Sequence, residues 1–191
     1  MTQMRNLTLP ILLTGVLALF ATDVSAVDGS KSATRSMQFG SWQVIEFAGR
    51  EQLIYRFVSD STSRAETHLA FDVAPSDHCT PHAAVLISNM GRFNPTYADG
   101  LMPLSFKIPG QAEVQEITKS SMERGSPWAF FQFTKLSAAG LMSANDRGSL
   151  AVWIPGSGDG QVKRSSNIYF ALDGYGAAYA SARQQCLDNS R

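Results

Sequence analysis

The stretch Ser76-Asp77-His78-Cys79-Thr80-Pro81-His82 crowds a carboxylate, two imidazoles and a thiol into one short segment. Three chemistries suit such a set. A zinc or copper ion accepts imidazole, thiolate and carboxylate ligands, and His68 could join His78 and His82 around it. A Cys79 thiolate, activated by either neighbouring histidine, would be a nucleophile. Alternatively, Cys79 pairs with Cys186, the other cysteine of the chain. A structural zinc site usually draws two cysteines from close by, whereas Cys186 stands 107 positions away. Pro81 also prevents the regular helix that would set both histidines on one face. The disulfide Cys79–Cys186 is therefore the expectation, with solvated histidines, no metal and no catalytic residue.

Other patterns are weaker. The glycine-rich Pro155-Gly156-Ser157-Gly158-Asp159-Gly160 lacks the lysine of a phosphate-binding loop and lies between two expected strands, so it reads as a hairpin turn. It also lacks the glycine that opens a nucleophile elbow, Pro155 standing there. Glu46, Glu51, Glu66, Asp72, Glu113, Glu116 and Glu123 single out no pair of the kind a glycosidase needs. They read as solvated strand residues that discourage edge pairing. Trp42, Trp128, Trp153, Phe130, Phe131, Phe133, Tyr169 and Phe170 could line a sugar-binding face, but aromatic strands more often fill a core. Phe93 and Tyr97, with Arg92, differ because they sit among polar residues in an expected surface loop. Loops on a rigid scaffold commonly carry binding residues, so Arg92, Phe93 and Tyr97 are the expected contact site.

The elements that must position these residues begin after an export signal. Met1–Arg5 supplies one positive charge, an apolar run of about 14 residues follows, and Val24 and Ala26 give a small-x-small exit. Residues 1–26 therefore read as a signal peptide cleaved after Ala26, and the run is too short for a spanning helix. The expected compartment, periplasm or exterior, favours pairing of an even cysteine count. Sixteen basic residues balance sixteen acidic ones. Without a basic surplus, nucleic acid is excluded as a partner, as is adhesion to anionic lipid through a polybasic patch. No motif calls for a cofactor.

Residues 27–36 are small and polar and read as a flexible lead-in, leaving 37–191 as one domain. Strands are expected at 39–47, 53–59, 68–73, 82–88, 104–109, 113–118, 128–133, 148–154 and 166–172, from β-branched and aromatic content and alternating polarity. A long surface loop is expected at 89–103. Leu136, Leu141 and Met142 predict a short helix within 135–145, and Tyr175, Ala178, Tyr179 and Ala182 predict one over 174–186, with Asp173 as N-cap. Strand after strand with turn signals between them predicts a mainly β fold, an antiparallel β-sandwich with a short internal helix and a C-terminal α-helix.

Several of these blocks resemble the invasion-associated locus B family of exported bacterial proteins. Phe170–Ala182, FALDGYGAAYASA, is similar to the family's closing strand, glycine-aromatic corner and alanine-rich helix. Phe130–Ile154 is similar to the preceding block, Phe39–Val44 (FGSWQV) to the opening motif, and Leu101–Gly110 to the proline-flanked central strands. The cysteine that family members carry soon after the opening tryptophan is absent, since Val44-Ile45-Glu46 follows Trp42. The resemblance implies a β-sandwich of the periplasm or cell surface, a role in host interaction or the envelope, and no catalytic residues. The expected function is binding of a protein or glycan ligand without catalysis. The alternatives are an inhibitor of an envelope hydrolase such as a lysozyme, and a carbohydrate- or metal-dependent enzyme using His78 and His82.

Overall fold

The computed structural model describes residues 33–48, 52–81, 83–89, 100–122, 127–154 and 167–190. The signal peptide 1–26 lies outside them. Among the described residues ten strands form one antiparallel sheet: β1 (Ala33–Phe39), β2 (Trp42–Ala48), β3 (Leu53–Asp60), β4 (Thr67–Val73), β5 (Val85–Asn89), β6 (Gly100–Lys107), β7 (Val114–Met122), β8 (Trp128–Gln132), β9 (Ser149–Trp153) and β10 (Ile168–Ala171). A short helix α1 (Ala138–Met142) precedes β9, and helix α2 (Tyr175–Asp188) follows β10. The mainly β class with a C-terminal helix is as expected. The strands do not divide into two hydrogen-bonded sheets, however. Their order is β1-β2-β3-β4-β5-β8-β7-β6-β9-β10, and the sheet coils until Phe170 of β10 bridges to Ser61, just past β3.

Alternation along the strands explains the core. In β7 the residues Glu116, Thr118, Ser120 and Met122 are buried, while Gln115, Ile117, Lys119 and Ser121 are exposed. The buried polar members of that row are satisfied. The hydroxyls of Thr118 and Ser120 donate to the carbonyls of Met102 and Gly100 on β6. The Glu116 carboxylate accepts the backbone N–H groups of Thr134 (2.6 Å) and Lys135 (2.7 Å), in the segment between β8 and α1. Glu116 is thus not the solvated residue expected from the sequence, because an irregular backbone needs an acceptor beneath it. Replacing Glu116 by Gln should cost about 2 kcal/mol, since an amide can accept only through its oxygen. Urea unfolding of the variant checks this; an unchanged midpoint would mean water serves those N–H groups equally well.

Four local expectations need correction. Ala33–Ser36, read as part of the lead-in, belong to β1, where they pair along β2. The expected strand 39–47 is interrupted: Phe39 pairs with Trp42 across a two-residue hairpin turn, with Gly40 at φ +54°. The loop expected at 89–103 is shorter at both ends. Asn89 belongs to β5 and Gly100–Pro103 to β6, and Pro103 is tolerated because β9 pairs with β6 only at Ser105–Lys107. Finally, Gly174 (φ +79°), not Asp173, caps α2, since the left-handed turn out of β10 suits a residue without Cβ.

Helix α2 packs over β1 to β4 through Tyr175, Ala178, Ala182 and Cys186, a three-four-four spacing that keeps one stripe inward. Beneath it lie Trp42, Phe57 and Phe71. The Trp42 and Tyr175 rings meet edge to face at 4.9 Å, and Phe57 stacks on Phe71 at 4.9 Å. The Tyr175 hydroxyl donates to the Ala138 carbonyl and joins the two helices.

Burial pushes the Tyr175 phenol well above its ordinary value of 10.0, with Tyr179 and Asp146 adding to the shift; Tyr55 is raised chiefly by burial too. The unfolded chain therefore loses these protons first. Stability should hold below pH of about 10 and fall as pH rises past it, by up to about 1.4 kcal/mol per pH unit for each tyrosine. Denaturant unfolding between pH 8 and 11 checks this, and Tyr175→Phe should flatten the decline.

Candidate functional site: the disulfide corner and the outward sheet face

Cys79 and Cys186 are bonded, with their Cα atoms 5.7 Å apart and both residues buried. The elements that meet there follow from the local sequence. Pro75 starts a single 3-10 turn (Pro75–Asp77) after β4, and His78 and Cys79 then take left-handed conformations (φ 53° and 55°). That reversal turns the Cys79 side chain under the last turn of α2. The same helix end is held a second time, since the Asn189 side chain donates to the Tyr55 hydroxyl at 2.8 Å. Both sulfurs are consumed, so the Cys79 thiolate considered above does not exist in this state.

The histidines are not brought together. His78 is exposed at the 3-10 turn, whereas His68 sits near the start of β4, about 17 Å of strand away. His82 lies outside the described residues. A metal site shared by His68 and His78 is ruled out by that separation. Among the described residues no group of three His, Cys, Asp or Glu side chains could hold a metal ion. Arg92, Phe93 and Tyr97 also lie outside the described residues, between β5 and β6, and so does the Pro155–Gly160 turn.

The aromatic residues divide between the two faces of the sheet. Trp42, Phe131, Phe133 and Phe170 are buried in the core, as expected. Trp128, Phe130 and Trp153 are only partly buried and Tyr169 is 37% exposed, so these do not serve the core. On the same outward side Leu101 is 78% and Ile117 55% exposed, on neighbouring strands where Leu101 pairs with Lys119 and Pro103 with Ile117. Sequence reasoning had assigned these aromatics to the core and did not foresee the exposed Leu101 and Ile117. The available signal was Ile117, apolar in a parity otherwise held by Gln115, Lys119 and Ser121.

The β1–β2 turn and the turn from β10 into α2 interlock at the N-terminal end of that helix, away from the disulfide. Ser41 donates its backbone N–H to the Asp173 carbonyl and its hydroxyl to the Asp173 carboxylate (2.6 Å). The Trp42 indole N–H donates to the Ala171 carbonyl at 2.9 Å. Gly40 and Gly174 pass so closely that a Cβ on Gly174 would overlap the Phe39 carbonyl. The opening motif FGSW and the closing motif LDGYG are thus two halves of one joint.

A solved structure, that of invasion associated protein B from Bartonella henselae, is similar in fold. The similarity covers 81% of this chain and 99% of that one, with a TM-score of 0.53 and 12% sequence identity. The two chains share a fold. At that identity the likeness shows the fold alone. No family model and no curated protein matches the chain. No helix among the described residues is long and apolar enough to cross a membrane.

Proposed function

We propose that the chain is an exported, non-enzymatic envelope protein of the invasion-associated type, acting by binding a protein or glycan in the periplasm or at the cell surface. The observation that carries this reading is the likeness to invasion associated protein B over nearly that protein's whole chain, together with the buried disulfide. A disulfide of this kind suits an oxidising compartment. The name of the structural neighbour points toward a role in host interaction. Binding would use the outward side of the sheet and the segment carrying Arg92, Phe93 and Tyr97, while the disulfide and α2 hold the scaffold rigid beneath them.

The test is fractionation of cells producing the full chain, with mass spectrometry and metal analysis of the purified product. The expected product begins at Val27, lies in the periplasmic or surface fraction, has no free thiol and carries no stoichiometric metal. Cross-linking in intact cells should then trap a partner. Cytoplasmic retention with two free thiols and about one metal per chain would overturn the reading and return attention to His78 and His82.

A further inference from the structure

We propose that the outward face of β3, β4, β5 and β8 carries a binding site for neutral oligosaccharides, built by Asp60, Glu66, His68, Asn89 and Trp128. The inference deepens the binding reading above and rests on it. Register puts these residues side by side. Asp60 pairs with His68 across β3 and β4, and Asn89 pairs with Trp128 across β5 and β8. Glu66, just before β4, faces Asn89: the Asn89 backbone N–H donates to the Glu66 carbonyl (2.9 Å) and its side-chain amide to Glu66 Oε2 (2.6 Å). Thr67 and Leu69 point into the core, which sends His68 outward. The imidazole lies 5.7 Å from the Trp128 ring at 31°, and its Nδ1 meets Asp60 Oδ1 at 2.7 Å.

Two features give this cluster its chemistry. The polar groups hold one another in place and keep a second atom each. Asp60 spends Oδ1 and retains Oδ2, Glu66 spends Oε2 and retains Oε1, and His68 spends Nδ1 and retains Nε2; none of the retained atoms is hydrogen-bonded to a described residue. These residues are also reachable, with the side chains of Asp60 59% and of His68 22% exposed and Glu66 exposed. The aromatic component is the tilted His68–Trp128 pair on the same surface. A sugar ring offers a matching object, an apolar C–H face rimmed by hydroxyl groups that both donate and accept. Across four strands spaced about 4.8 Å apart the cluster is wide enough for a short oligosaccharide rather than a single ring. A cationic ligand fits less well, because His68 and Asn89 each occupy one carboxylate oxygen and leave neither Asp60 nor Glu66 a two-oxygen face for a guanidinium. A metal fits less well again, since no three-ligand group is present among the described residues.

The experiment is titration of the purified mature chain with chitotetraose, cellotetraose and maltotetraose, followed by tryptophan fluorescence and calorimetry. At least one tetrasaccharide should bind saturably, and Trp128→Ala should weaken it about tenfold or more. Because loss of a partly buried indole can perturb folding, the double variant Asp60→Asn with Glu66→Gln serves as a second probe. It should also weaken binding several-fold while the thermal midpoint stays within a few degrees. The proposal is overturned if no tetrasaccharide binds the native chain at millimolar concentration, or if binding survives both variants. A partner trapped in the envelope by cross-linking, with no tetrasaccharide bound, would overturn this site and leave the binding reading intact. Cytoplasmic retention of the chain would remove both.

Discussion

Replacing Cys79 and Cys186 together by alanine should cost the folded state about 4–5 kcal/mol. The bond closes a loop of more than 100 residues, since the cysteines stand 107 positions apart, and the entropy that the unfolded chain would regain sets that figure. For a domain of this size the thermal midpoint should fall by about 10–15 °C. The measurement is paired urea and thermal unfolding of the native and double-alanine chains. A loss below about 1 kcal/mol would show that the unfolded chain stays compact around this corner without the bond. Removing one cysteine alone should be no milder, because it leaves a buried thiol where the bond was. Both cysteines are almost wholly inaccessible, at 1% and 0% exposure, so reductant should act only on molecules that have opened. The reduction rate of the native chain should therefore rise steeply with added denaturant.

A second large effect is expected at Gly174. Its φ of +79° already disfavours any side chain, by roughly 1–2 kcal/mol. The added Cβ would also overlap the Phe39 carbonyl and press on the Gly40 nitrogen. Backbone atoms cannot rotate away, so the β1–β2 hairpin would have to withdraw from the corner. Trp42 would then lose its edge-to-face contact with Tyr175 and its bond to the Ala171 carbonyl. We expect Gly174→Ala to cost about 4 kcal/mol, on the scale of emptying an aromatic core position. Gly110 provides the control. It has nearly the same φ, +77°, with nothing within 4 Å of a built Cβ, so Gly110→Ala should cost only the conformational part, about 1–2 kcal/mol. Comparable losses at the two glycines would mean that the close approach contributes nothing. Thermal unfolding of the two variants side by side decides between these outcomes.

The features legible in the sequence were those governed by local period and residue count. Tyr175, Ala178 and Ala182 mark the inner stripe of α2 because helical spacing is a property of the segment itself. The bond between Cys79 and Cys186 followed from there being one pair and an expected oxidising compartment. The hairpin at Gly40-Ser41 was hidden because its first strand, Ala33–Phe39, is mostly polar and exposed and so reads as lead-in rather than as the partner of Trp42–Ala48. Glu116 looked solvated because the backbone it serves, at Thr134 and Lys135, is far along the chain. The sheet order β5-β8-β7-β6-β9 rests on pairings between distant segments, which alternation within one strand does not encode. A sugar-binding aromatic face was weighed and set aside in favour of the core for a related reason. Aromatic content at 128–133 announces a strand, but only the register tells Trp128 and Phe130 from Phe131 and Phe133. Arg92, Phe93 and Tyr97 were chosen on loop character alone; the residues assembled by pairing, Asp60, Glu66, His68, Asn89 and Trp128, come from four separate strands or their ends.

The joint between Ser41-Trp42 and Ala171–Tyr175 bears on the order in which the molecule can be completed. Residues early in the sequence meet residues far along it, across a separation of 132 positions at the Ser41–Asp173 contact. Contacts so distant in sequence slow folding, because loop-closure entropy must be met before they contribute. Until α2 docks, Trp42, Phe57 and Phe71 have no helix to cover them and remain open to wrong partners. A chain interrupted before Gly174 would hold most of its strands and still lack a finished core. Such fragments should be targets for proteases and holding chaperones, because docking of α2 is what closes the core.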